Sequence, residues 1–597
     1  MPSAGRYDAT TTAWARTAFV CGVLMLWDEE FFDRETQRFE VERYLDLFEA
    51  DFGRADALVL WHAYPRIGFD DRNQFDFYRD IPGGVSALRD IIERLHARGT
   101  RAILDYNPWD TGTRAEPSGD EAALAELVVE VAADGIFLDT LADASASLLA
   151  AIDRAGAEVI LQSEHVAPLS GLHDHLMSWA QWPERLNERL LLRNKWAKPR
   201  QMQHLVRRWH EDHADELFTA WLNGSGVVVW ENVFGSWFPW NPTDKATLRS
   251  MRSVHSAYGE WFASGDWTPY VQTSSAAVDA SEWTLGDISV WAFVNRSDAE
   301  VHETLVLHGQ DGDVLTAPLG GVRRAAGTTT VVLGPKSIGF VAQVGSSSPG
   351  VEVARHSSTV RRVRDPLPPI GRRSSADPAP ADMVTVASGI AGPARFRLRE
   401  CGAYDRAPLV GRSYPDLTGD IAVLRDRPTR PIVIDPAAVT NDEYLDFLSA
   451  TAYVPAHRER FLDHWIADAP APGTGGDPVV YVDLDDARAY AGWRGCRLPT
   501  EDEWQLALAT PGVGYGARRV WEWTESEQSD GHSRFVVLKG GSDRSVAGSD
   551  WYAESGPLLP ERSAKFVLFA PSIDRSSTVG FRCAADLDAV GPDQLDY

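Results

Sequence analysis

Between Thr17 and about Ser264 short apolar runs alternate with segments of helical periodicity, and this alternation constrains the fold more than any other feature of the chain. The segment VSALRDIIERLHARG places Val85, Leu88, Ile91, Ile92 and Leu95 on one helical face and stops at Gly99, the residue type that helix C-termini favour. RAILDYN follows as a strand. DEAALAELVVEVAAD reads as a second helix starting at an Asp120 cap, and it leads into the strand GIFLDT. A third helix around ASLLAAIDRAG leads into EVILQSEH. Strands this apolar, each reached through a helix, need cover on their outer side, so the expected sheet is parallel. Roughly 250 residues of such units fit a (β/α)8 TIM barrel, placed at residues 1–264. An open doubly wound sheet is the alternative, but no GxGxxG follows any strand.

The pattern changes after the barrel. ISVWAFVNRS, HETLVLHG, TTTVVLGP and SIGFVAQVG are β-rich runs divided by Gly, Asp and Asn turns, so residues 265–345 are expected to form a small antiparallel β-sandwich. Residues 346–382 are rich in Pro, Ser and Arg, as in DPLPPIGRRSSADPAPAD, and read as a linker. Residues 383–597 form a further domain. Several domains are what a chain of 597 residues requires, because single cores stop growing well below that length.

Composition excludes several partners. The formal charge of -28 repels polyanions, so neither nucleic acid nor an anionic membrane is expected. No stretch approaches a membrane span, and the N-terminus has no basic region leading into an apolar run and a small-residue cleavage site. A cytoplasmic location is therefore expected. Cys21, Cys401, Cys496 and Cys583 form no CxxC pair, which suits reduced thiols or at most one bridge rather than a disulfide framework. Nothing in the sequence sets an oligomeric state.

Within the barrel, the apolar strands end in residues that carry chemistry. Trp27 and Asp28 follow the first strand, His62 follows ALVLW, and Asp105, Asn107 and Trp109 lie at the end of RAIL. Asp139 ends GIFL, Glu164 and His165 end VILQS, and Glu231 ends GVVVW, with Trp237 just beyond. A barrel gathers all these ends on one face. Carboxyls beside Trp and His suit glycoside hydrolysis, where one acid protonates the leaving oxygen and a second attacks the anomeric carbon or activates water. Asp139, Glu231 and Glu164 are the catalytic candidates. Trp27, Asp28, His62, Asp105, Asn107, Trp109, His165 and Trp237 are the substrate-binding ones. Each has a structural alternative: Asp139 could cap the next helix, Glu231 could bond loop backbone, and Glu164 could pair with His165 or an arginine. His210 and His213 stand three apart on an expected helix, but no third ligand accompanies them, so no metal is assigned.

Two resemblances add to this reading. ADGIFLDTL resembles the fourth-strand motif of several barrel glycosidase families, in which the Asp is nucleophile or base, and GSGVVVWENVFGSW resembles their late-strand segments. In the C-terminal part, DMVTVASG, RPIVIDPAAVTNDEYLDFLSAT, DPVVYVDLDDARAYAGWRGCRLPTEDEWQLALAT, RRVWEWTES, VLKGGSD and STVGFRCA occur in the order seen in formylglycine-generating enzymes and their sulfatase-modifying-factor relatives. That resemblance implies a low-regularity α+β fold related to C-type lectins. Thr440 or Asn441 should cap one of its helices, and Thr500 another with Glu503 as capping partner. Catalytic members of that family carry two copper-binding cysteines between the GGS and GFR blocks. DRSVAGSDWYAESGPLLPERSAKFVLFAPSIDRSS has none, so formylglycine generation is not expected, and the histidine iron site of the ergothioneine-synthase relatives is not visible. The family often holds Ca²⁺ structurally, and the resemblance leaves room for a structural Ca²⁺ here. No other cofactor is expected.

The sequence therefore reads as a glycoside hydrolase acting on an oligosaccharide or glycoside, with the C-terminal domain as an accessory or substrate-binding module. A glycan-binding protein with a degenerate barrel is the alternative.

Overall fold

The computed structural model describes residues 6–62, 66–182, 191–305, 314–325, 328–344, 380–400, 409–411, 416–424 and 427–587. Eight parallel strands close into a barrel: β1 (Val20–Met25), β2 (Ala57–Trp61), β3 (Arg101–Tyr106), β4 (Gly135–Leu138), β5 (Ile160–Ser163), β6 (His175–Gln181), β7 (Met202–Val206) and β8 (Gly226–Val229). Closure runs through β1, whose Val20 pairs with Val227 of β8 while Cys21 pairs with Ala57 of β2. Nearly every strand residue is buried, as a sheet covered on both faces requires.

The outer layer follows the helical periodicity. In α1 (Val41–Phe52) the buried side chains include Val41, Leu45, Phe48 and Phe52. In α2 (Gly84–Ala97) they are Leu88, Ile91, Ile92 and Leu95, and burying four such chains is worth about 1.5–3 kcal/mol each. Further barrel helices include α3 (Asp120–Val131), α4 (Ala146–Ala155), α5 (Ala214–Asn223) and α6 (Pro242–Ser264). Two local expectations are corrected. Gly119 rather than Asp120 holds the cap position of α3, and His210 and His213 lie before α5 rather than on a helix.

The alternation is also incomplete. Between β5 and β6 the chain EHVAPLSGLHD forms only a 3-10 turn at Leu169–Gly171, because Pro168 and Gly171 break so short a crossover. The N-terminal 3-10 turns Arg6–Asp8 and Ala13–Thr17 pack against β6 instead.

After α6 come two antiparallel sheets. A five-stranded one is centred on Ile288–Asn295, and a three-stranded one is built from Val301–Leu305, Thr328–Leu333 and Gly321–Ala325. The first packs on α5, where Trp221 Nε1 donates to Gly339 O at 3.1 Å. The expected linker, residues 346–382, lies outside the described residues except for its last three.

The C-terminal domain is held by short helices, small sheets and buried ion pairs. Thr440 caps α7 (Asn441–Thr451) and Thr500 caps α8 (Glu501–Ala507), each in a capping box with the Glu three residues on. Arg497 donates to Glu503 at 2.7 Å and to Asp586 at 2.8 Å in the interior. Its Arg534–Lys539 strand pairs antiparallel with Ser563–Val567.

This domain sits on the barrel face where the strands end. Phe569 stacks on Trp27 with ring centroids 4.8 Å apart, and Arg66, past β2, donates to Asp574 at 3.0 Å. Lys565 Nζ donates to Gly235 O at 3.0 Å, and Ser533 Oγ donates to Asn232 Oδ1 at 3.2 Å, both partners lying past β8. No described helix is long and apolar enough to cross a membrane.

Candidate active site

Two carboxyls stand side by side because each immediately follows its strand. Leu138 of β4 pairs with Ser163 of β5, so Asp139 and Glu164 occupy the same next rung. The chain turns at Thr140, which holds the left-handed conformation at φ 60°, a strained geometry for a β-branched residue. That turn aims the Thr140 N–H at Glu164 Oε2, 2.7 Å away. Gln181, at the end of β6, donates to Glu164 Oε1 at 3.0 Å, and Arg208, past β7, forms an ion pair with the same oxygen. Asp139 is in hydrogen-bonding contact with Glu164, and its Oδ2 accepts from Trp109 Nε1 at 2.8 Å. It does not cap the next helix, since Ser145 does.

These surroundings drive the two acids apart. Burial, the Glu164 charge and Asp105 push the Asp139 carboxyl well above the usual range, and Trp109 offsets this in part. Glu164 is buried as well, yet the Arg208 guanidinium and the Thr140 N–H hold it below its ordinary value. These surroundings bias Asp139 toward its protonated form and Glu164 toward its ionised form.

Behind it lies a buried polar layer. His62 stacks on Tyr78 with centroids 3.7 Å apart, and its Nδ1 is 3.8 Å from Asp105 Oδ2. Asn107 Nδ2 donates to Asp105 Oδ2 at 3.0 Å. Asp105 Oδ1, Asn107 Oδ1 and both His62 nitrogens are buried without a protein partner. Burial pushes His62 down to about 3 and Asp105 far up, so this layer is neutral and offers hydrogen bonds rather than charge.

The cavity over the acid pair is walled by Trp179, Trp230, Arg208 and, from the C-terminal domain, Trp551. The Arg208 guanidinium lies 4.9 Å from the Trp230 ring centroid. Free space beside the carboxyls is about 30 Å³, room for a water or two.

The other candidates fall elsewhere. Glu231 is not beside Asp139 and Glu164. It accepts from Trp240 N at 2.8 Å and from Lys245 Nζ at 3.0 Å, and lines a second cavity with Asp28, Trp237 and His532. The strand-end rule fails there because β8 ends at Val229, one residue earlier, and Glu231 turns outward toward α6. Asp28 accepts from Asn232 at 2.8 Å and lies 3.4 Å from His532 Nδ1. Although buried, it is held below its ordinary value, chiefly by that histidine. Trp237 stacks on His532 at 3.3 Å, and Trp27 donates to His62 O at 2.9 Å while packing on Phe569. These aromatic faces are occupied by the C-terminal domain. His165 is exposed at the rim.

Arg208, Gln181, Trp179 and Trp230 surround the acid pair and were not among the sequence candidates. Arg208 and Gln181 belong to strand ends in QHLVRRW and LMSWAQW, where polar residues obscure the apolar signal.

The copper site implied by the C-terminal resemblance does not fit this chain. The stretch between the GGS and GFR blocks holds no thiol, and Cys583 lies beyond it, fully buried with its thiol pushed up by burial. Among the described residues, no cluster of three or more acidic, histidine or cysteine side chains is placed to hold a metal ion. His213 is engaged by Glu216 at 2.8 Å and by the His210 carbonyl at 3.0 Å.

Comparison with known proteins matches residues 422–519 to the sulfatase-modifying factor enzyme 1-like domain family. The formylglycine-generating enzyme of Streptomyces coelicolor is 30% identical over 196 residues, covering 27% of this chain and 60% of the relative. The inactive C-alpha-formylglycine-generating enzyme 2 of Mus musculus is 30% identical over 133 residues, covering 17% of this chain and 43% of that protein. The chain thus spans less than two thirds of the length of either relative. Among solved structures, an α-amylase from Geobacillus thermoleovorans complexed with acarbose has a TM-score of 0.39 at 11% identity, over 56% of this chain and 99% of that one. A β-L-arabinopyranosidase from Geobacillus stearothermophilus in complex with arabinose has a TM-score of 0.37 at 11% identity, over 57% of this chain and 100% of that one. The barrel stands on its own strand order and register. The chain therefore joins an eight-stranded parallel β/α barrel to a C-terminal domain of the sulfatase-modifying factor enzyme 1-like type.

Proposed function

We propose that the barrel is a glycoside hydrolase in which Asp139 and Glu164 are the catalytic pair. The observation that carries this reading is the contact of two buried carboxyls at neighbouring strand ends, one braced by Arg208 and the Thr140 N–H and the other by Trp109. Protonated Asp139 donates its proton to the departing glycosidic oxygen. Ionised Glu164 attacks the anomeric carbon, and the resulting glycosyl ester is opened by a water that Asp139, now a carboxylate, deprotonates. Two touching carboxyls leave no room for the water that an inverting pair holds between carboxyl and sugar, and a retaining reaction requires them to part to about 5 Å around the bound sugar. The resemblance implied nucleophile or base for Asp139, and the electrostatics move it to proton donor. Trp179 and Trp230 offer apolar faces for a sugar ring. Glu231 has no part in the reaction.

A panel of α- and β-aryl glycosides and oligosaccharides, run with Asp139→Asn alongside, tests the reading. Turnover of one member that vanishes in the variant supports it. Saturable glycan binding without turnover by the wild type favours the glycan-binding alternative.

The pH profile carries a separate expectation. Activity requires Glu164 ionised, which sets the acid limb, and Asp139 protonated, which sets the alkaline limb. Arg208→Gln removes the charge holding Glu164 down, so the acid limb of kcat/KM should move to higher pH. Trp109→Phe removes the donor that stabilises ionised Asp139, so the alkaline limb should also move up. A profile unmoved in both variants would exclude this pair as the titrating groups.

A further inference from the structure

The C-terminal domain contributes more than cover to the barrel. We infer that Trp551 of that domain is the outer wall and gate of the acid-pair pocket, and that this wall restricts the enzyme to terminal sugars of a glycoside. The inference rests on the proposed glycosidase reading and deepens it by naming the substrate class.

Trp551 lines the cavity with Asp139 and Glu164 although more than 380 residues of chain separate it from either. Its place is set from both domains. On its own side, Arg399 donates to the Trp551 carbonyl at 2.7 Å and to the Tyr552 carbonyl at 2.6 Å, and Arg397 donates to the latter at 2.8 Å. On the barrel side, the next residue is anchored to the loop after β3. The Gly112 N–H donates to Tyr552 Oη at 2.6 Å, and Tyr552 Oη donates to Trp109 O at 3.3 Å. Trp109 is itself the donor to Asp139, so one short loop positions both the acid and the wall.

Two barrel glycines make room for this approach. A Cβ on Gly112 would stand 2.3 Å from Ala547 O, and Gly68, at φ +103°, has Tyr552 Cβ 3.0 Å from where its own Cβ would be. Side chains at either position would hold the 546–553 stretch away from the barrel. The Ala553 N–H donates to Ile67 O at 2.8 Å, closing the seam at that point.

The consequence concerns size. The free space of about 30 Å³ falls well short of the roughly 300 Å³ at which small-molecule pockets begin, so a sugar ring enters only if something moves. The backbone on either side of Trp551 is tied down, because the carbonyls of Asp550 and Tyr552 both accept from Arg397, so the side chain is the movable part of this wall. Its indole swings to admit one ring and then lies against it. An internal unit of a long chain would need open space on both sides of the ring, and Trp551 occupies one of them.

Trp551→Ala and Trp551→Phe, each checked for an unchanged melting temperature, test this on an aryl monoglycoside and on oligosaccharides labelled at the reducing end. The wild type should release single sugars from the unlabelled end. Trp551→Ala should raise KM for the monoglycoside about tenfold, the effect of losing one stacking face, and begin internal cleavage, with Trp551→Phe in between. Internal fragments from the wild type at the earliest times, or an unchanged KM in Trp551→Ala, overturn the inference and leave the glycosidase reading standing. If the wild type turns over no glycoside, the hydrolase reading fails separately, and Kd for the bound glycan decides. Weakening of about tenfold in Trp551→Ala keeps the wall, and an equal Kd, or no binding by the wild type, removes it.

Discussion

Replacing Asp139 by Asn should lower kcat on any glycoside the protein turns over by about a hundred- to ten-thousand-fold, the range that a positioned general acid contributes. The expected loss is chemical rather than structural. Asparagine has the same shape, can still accept from Trp109 Nε1, and can donate its amide to Glu164, so contacts around the strand ends survive. What it lacks is a proton to transfer. Glu164→Gln is a less clean probe, because it takes the counter-charge from Arg208, whose side chain is only 11% exposed. The check is kcat alongside the melting temperature. An Asp139→Asn enzyme within a few-fold of wild type would remove this residue from the mechanism, and a variant that unfolds would show a structural role instead.

Asp574→Ala should be the most damaging substitution at the seam between the domains, costing about 3–5 kcal/mol because it strands buried arginine charge. Arg66 is 1% exposed and Asp574 is fully buried. Asp574 Oδ1 accepts from Arg66 at 3.0 Å and from the Phe569 N–H at 2.9 Å, while Oδ2 accepts from Arg34 at 2.6 Å. Arg66 also lies 3.4 Å from the Phe566 ring centroid and donates to the Val567 carbonyl at 2.9 Å. Burial already pulls the Arg66 guanidinium down to about 10, despite the Asp574 charge, and removing that charge leaves the desolvation uncompensated. The double variant Arg66→Met, Asp574→Ala should recover part of the loss, since no charge then remains at the Arg66 position. Thermal melts of the two variants read this directly. Equal melting temperatures for wild type and Asp574→Ala would mean that the seam holds without the pair.

Stability and function meet at this seam. The stretch from Asp543 to Ser577, which holds no cysteine, contains Trp551, Tyr552, Lys565, Phe569 and Asp574. Through these residues it docks on the barrel mouth and lines its pocket.

Much of this was legible in the order of the residues. Helical faces such as Leu88, Ile91, Ile92 and Leu95 repeat within a few positions of one another, and caps such as Thr500 with Glu503 span three. These are local patterns, and local geometry alone produces them. The placement of Asp139 and Glu164 follows the same logic, since each directly follows an apolar run and a parallel barrel sets neighbouring strand ends abreast. Glu231 obeyed the pattern in sequence but not in space, because its chain had already left β8 and turned toward Lys245. The missing helix after β5 was equally hidden, since cover for β6 comes from residues 6–17. The opposed titration of the acid pair depends on Arg208, which arrives from β7, and the pocket wall depends on Trp551, which arrives from another domain. The ion pair that secures that domain joins residues 508 apart. Periodicity and capping act over a few residues and so can be read along the chain. Charge pairing, desolvation and pocket closure act over a few ångströms between residues hundreds of positions apart, and only the folded structure decides which of them meet.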